Sequence, residues 1–81
     1  MKVAAFRLTI DAIGQALNSF KSAATDAERL REAEWVRRTV REAMAAGGVC
    51  GRATTHDRGR LADWTVAAVT ALTDAGLPAG F

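Results

Sequence analysis

A chain of 81 residues carrying a net charge of +2 makes one domain and leaves little room for a second core. A single cysteine excludes an internal disulfide framework, and the lone thiol fits a reducing, cytoplasmic compartment. Hydrophobic residues make up 49% of the chain, but eighteen of them are alanine, which favours helix and close backbone approach while burying little area.

The chain has no tyrosine and few β-branched apolar residues, which counts against a sheet-rich fold. Lys2 is followed by only four apolar residues before Arg7, so no signal peptide is expected. The longest uncharged stretch with helical character runs from Trp64 to Thr73, well short of the roughly 20 residues a membrane span needs. No membrane partner is therefore expected.

Val3, Phe6, Ile10, Ile13, Leu17, Phe20 and Ala24 recur at alternating spacings of three and four, which predicts a first helix over about 3–23. The alternation of Phe6, Leu8 and Ile10 would fit a strand, but it explains fewer positions than the helical stripe does. Gly14 is the weak point of this helix. A second start signal is Thr25-Asp26-Ala27-Glu28, a capping box in which the Thr and Glu side chains serve unpaired backbone N–H groups.

The second helix is predicted over about 26–46, ended by Gly47-Gly48, with Leu30, Ala33, Val36, Val40, Ala43 and Met44 on its apolar face. Between Ser22 and Thr25 there is no strong breaker. A helical hairpin is preferred over one continuous helix because the latter would leave most of its stripe without a partner.

Residues 47–56 then form a Gly-rich loop, and a third helix is expected over about 57–75, with Thr54, Thr55 or Asp57 as its N-cap. Its stripe is Leu61, Trp64, Ala68, Leu72 and Ala75, and Gly76-Leu77-Pro78 has the composition of a Schellman ending. The expected architecture is all-α, a helical hairpin plus a third helix in one three-helix bundle spanning 1–81. A domain this small buries only about 60–65% of its unfolded surface, so homodimerisation is expected to add burial.

Three groups of residues are candidates for function. The first lies on the second helix, where Trp35 falls well off the apolar stripe, beside Arg31, Arg38 and Glu42 on the side expected to face water. Tryptophan next to arginine is the composition of an interface anchor; the alternatives are that the third helix packs there or that the indole lies flat under arginine stems. Arg37 is the converse, a charge inside the apolar face, read either as a snorkelling stem or as one partner of a buried pair.

The second is the basic middle. Residues 37–60 hold six arginines against Glu42 and Asp57, a net +4 on an otherwise near-neutral chain. The string Arg41 to Thr54 is similar to a helix–turn–helix with its turn at Gly47–Val49. That similarity implies a reading helix carrying Arg52, Thr54, Thr55, Arg58 and Arg60, and with the basic segment as a whole it makes Arg41, Arg52, Arg58 and Arg60 the candidate nucleic-acid contacts.

The third is Cys50 with His56 and Asp57, the residue types of nucleophilic catalysis placed on what reads as a flexible loop, where substitution of Cys50 or His56 is expected to be tolerated. One Cys and one His fall short of a metal site, and no phosphate-loop motif is present, so neither a metal nor a cofactor is expected. The leading expectation is a small non-enzymatic interaction or regulatory protein acting on itself or another protein through a helical surface. Nucleic-acid binding through 37–60 is the alternative, and an enzyme using Cys50 and His56 comes third.

Overall fold

A computed structural model describes residues 1–81 and contains three helices: α1 (Val3–Lys21), α2 (Asp26–Val49) and α3 (Thr55–Asp74). All three pack against one another in an elongated bundle of 40 × 17 × 17 Å. The expected hairpin is present. Thr25 caps α2, its hydroxyl accepting the Glu28 amide at 3.1 Å. The Glu28 carboxylate reaches back to the Ala24 amide at 3.1 Å, one residue earlier than a strict capping box would place it.

α1 buries the middle of the stripe that its spacing predicts, while Val3 is only half-buried and Ala24 is exposed beyond the helix end at Lys21. Phe6, Ile10, Ile13, Leu17 and Phe20 are all buried, joined by Gly14 and Ala16. The larger apolar cluster unites Ile13, Ala16, Leu17 and Phe20 with Ala33, Val36, Val40 and Ala43 of α2 and Ala68 and Leu72 of α3. A smaller cluster at the other end joins Phe6 and Ile10 to Ala46 and Cys50. Leu61 and Trp64 lean on both clusters.

α2 departs from its predicted face and from its predicted end. Its buried residues are Ala33, Val36, Thr39, Val40, Ala43, Ala46 and Gly47, whereas Leu30 and Met44 are 58% and 49% exposed. The buried arc is about as wide as the predicted stripe but is turned toward Thr39, because α2 must contact both α1 and α3. Buried Thr39 donates its hydroxyl to the Val36 carbonyl at 2.9 Å, which satisfies it locally.

The helix also runs through Gly47 and Gly48 to Val49 instead of stopping at residue 46. A Cβ on Gly47 would lie 3.2 Å from the Phe6 ring, so this glycine seats an aromatic side chain instead of ending the helix. Gly14 does the same for Trp64, whose ring would be 3.1 Å from an added Cβ. The expected 47–56 loop is thus only the short link from Cys50 to Thr54.

α3 begins with a full capping box between Thr54 and Asp57. Its end is the expected Schellman motif: Gly76 at φ 75° donates to the Thr73 carbonyl, and Leu77 donates to the Leu72 carbonyl, both at 2.9 Å. Arg37 resolves into the snorkelling form. Its Nε donates to the Pro78 carbonyl at 2.8 Å while its head pairs with Glu34 of the same helix, so it pins the C-terminal tail against α2.

Glycine-to-alanine substitutions separate the two roles of glycine. Gly48 and Gly59 are helical with nothing within 4 Å of an added Cβ, so Gly48→Ala and Gly59→Ala should each stabilise by about 0.5–1 kcal/mol. Gly14→Ala gains the same propensity but must displace the Trp64 ring. It should come out destabilising by about 1 kcal/mol because overpacking costs more. Urea melts followed by circular dichroism measure all three.

Candidate interaction surface

The first turn of α3 consumes several residues that the sequence offered for chemistry. Asp57 is 2% exposed and accepts Arg7 Nε at 2.9 Å, Arg7 Nη2 at 3.3 Å, the Thr54 amide at 3.1 Å and the Thr54 hydroxyl at 3.0 Å. The Arg7 hydrogen bond, followed by that of the Thr54 amide, holds the Asp57 carboxyl far below the usual carboxylate range. Arg58 donates to the carbonyls of Gly47 and Cys50, both at 3.0 Å, and so caps the C-terminus of α2.

Cys50 is 1% exposed and packs with Phe6, Ile10 and Ala46, a core thiol instead of a loop thiol. Asp57 is held by Arg7 and Thr54, and His56 lies exposed one residue before it. No hydrogen bond joins Cys50, His56 and Asp57 to one another. No three His, Cys, Asp or Glu side chains converge where they could hold a metal ion.

The basic middle is similarly dispersed. Arg60 pairs with Asp11 at 2.6 Å, Arg41 pairs with Glu34 at 3.3 Å, and Arg58 is spent on α2 carbonyls. Arg41, and after it Arg37, hold the Glu34 carboxyl below its ordinary range. Arg52 alone of the four candidate nucleic-acid contacts has neither an ion pair nor a side-chain hydrogen bond, and it lies beside Met1, Lys2 and Val3. The helix–turn–helix similarity fails structurally, since Gly47–Val49 is helix and Arg52 and Thr54 precede α3.

What remains is one face of the α1–α2 hairpin. On α1, Arg7 and Asp11 bond to α3 and Gly14 lies under Trp64, which marks the side that α3 covers. On α2, Arg37 marks the side along which the tail runs. Away from both, Arg31, Trp35, Arg38, Glu42, Ala45 and Val49 share an arc of about 80° at 100° per residue.

Arg31, Arg38 and Glu42 are exposed, and none has an ion-pair partner within the chain. Trp35 corrects its expected placement: it is half-buried, packed against the edge of the larger cluster with part of its surface open. Its surplus to the original stripe is explained by the rotation of the buried arc toward Thr39.

Farther along the same strip, Glu42, Ala45, Ala46 and Val49 form one wall of a shallow groove whose other wall is Met1 and Thr9. Val49 is 65% exposed there. The groove residues escaped the sequence reading, although the spacing from Arg31 through Glu42 continues to Ala45 and Val49 in the same three-four rhythm. No helix is long and apolar enough to cross a membrane. Comparison with protein-family models, curated proteins and solved structures returns no match.

Two expected outcomes test this account. A carboxyl held lower in the folded than in the unfolded chain adds stability at neutral pH. That stability is withdrawn as pH falls from about 4, its ordinary range, toward the folded value. Asp57→Asn should therefore lower the urea midpoint at pH 7, and its gap from wild type should narrow at pH 2. Cys50→Ser, which puts a hydroxyl into an apolar cluster, should destabilise by about 1 kcal/mol or more, with Cys50→Ala milder. Urea titrations of all three variants beside wild type, with the Asp57 variant run at both pH values, give these numbers.

Proposed function

We propose that this chain is a small non-enzymatic interaction protein that works through the α1–α2 face away from α3, with self-association as its first use. The observation that carries this reading is the strip itself: an aromatic residue among charges that have no partner in the chain, running into an apolar groove. Only 18 of 81 residues are buried, so a second layer on this face would add burial that the monomer lacks.

Nucleic-acid binding through 37–60 is the weaker alternative, because Arg58 and Arg60 already serve the fold and few free cations remain for phosphates. A role as an enzyme through Cys50 and His56 ranks behind it, with the thiol enclosed in the core.

Ala45→Glu sets a charge into the groove on an exposed helical position and leaves the core untouched. It should weaken self-association at least tenfold, read by sedimentation equilibrium, with the helical spectrum unchanged. Val66→Glu, an equally polar change on exposed α3, should leave the association constant near wild type. Equal loss in both variants would remove the face from consideration.

A further inference from the structure

We propose that the occupant of this face is a second copy of the chain, with the two α2 helices antiparallel about a two-fold axis that passes over the midpoint between Val36 and Arg37. The inference rests on the docking role proposed above and adds its register. In such a pair, a residue meets the one equally far from the axis on the other copy, and every contact occurs twice. Arg31 and Glu42 are equidistant from that midpoint, and so are Trp35 and Arg38.

The strip therefore matches its own image. Arg31 meets Glu42 of the second copy, Trp35 meets its Arg38, and both contacts repeat across the axis. An opposite-charge pair and a guanidinium on an indole result, from side chains that are exposed or half-open and lack ion-pair partners within the chain. A register centred on Trp35 would instead set Glu28 against Glu42 and bring Arg31 close to Arg38, joining like charges.

A register centred on Ala33 also joins opposite charges, Glu28 with Arg38, and stacks Arg31 on Trp35. It is disfavoured on two grounds. The Glu28 carboxylate is already engaged by the Ala24 amide at 3.1 Å, whereas Glu42 is free. It also overlaps α2 only from 26 to 40, leaving Ala45 uncovered, while the proposed register overlaps 26 to 47 and covers it.

The test is reciprocal charge exchange between chains. Arg31→Glu and Glu42→Arg each set like charges opposite one another in both symmetric contacts. Each alone should self-associate at least tenfold more weakly than wild type at low salt, with less loss at high salt. Mixed in equal amounts, the two variants should form a heterodimer close to wild-type strength, because both contacts then join opposite charges. The double variant R31E/E42R should likewise regain self-association.

Sedimentation equilibrium and native mass spectrometry of the mixture read these states, with circular dichroism on the same samples. Failure of the mixture and of the double variant to recover, while Ala45→Glu still dissociates wild-type dimers, overturns the register and leaves the docking face standing. Recovery between Glu28→Arg and Arg38→Glu instead would establish the Ala33-centred register in its place. A wild-type chain that stays monomeric at the highest soluble concentration overturns both the register and the self-association on which it rests.

Discussion

Two adjacent side chains at the start of α3 tie the three helices together. Asp57 grips Arg7 of α1 while closing the capping box on Thr54, and Arg58 closes the exposed carbonyls at the end of α2. α3 needs such fixings because its apolar payload is small: Ala68 and Leu72 are its only fully buried apolar residues. Once its first turn is anchored, Trp64 comes down on Gly14, and Leu61 reaches the Phe6–Gly47 contact at the other helix. The wide rings thus occupy space that two missing side chains provide. A buried carboxylate with its charge and lone pairs satisfied can hold such an arrangement, while the same group deprived of Arg7 would be a liability.

Local signals carried most of the architecture. The α1 stripe from Phe6 to Phe20, the Thr25 cap and the Gly76-Leu77 ending are each decided by neighbours a few residues away, and each stands where its spacing places it. Features decided across the fold were not legible. Gly47-Gly48 reads as a terminator until the Phe6 ring is seen lying on Gly47. The face of α2 turned because two helices claim it, which moved Leu30 and Met44 out and drew Thr39 and Trp35 in. Asp57 looked like a member of a catalytic set because its sequence neighbours are Cys50 and His56, whereas its spatial neighbour is Arg7, fifty positions away.

The charges follow the same division. In the sequence, the middle of the chain is a basic block. In the fold, its arginines are distributed among a helix terminus, a link between α1 and α3, and a pair on α2 itself. Counting formal charge along a chain overstates the field available to a polyanion when the countercharges come from other helices. The charges left without partners are the more informative set, and three of them, Arg31, Arg38 and Glu42, line one side of α2 around a half-open indole.

The enclosed thiol has a use of its own. Cys50 is the one cysteine, and it lies at the end of the bundle where α1 begins, α2 ends and the first turn of α3 closes over the carbonyls. A reagent can reach its sulfur only when that end opens. Native wild-type protein therefore carries an unengineered clock for local opening. The rate of alkylation under folding conditions, set against that of the unfolded chain, reports the free energy of parting this end without unravelling the whole. Because Asp57 and Arg58 stand guard over the same end, the clock should run fastest where their bonds are weakest.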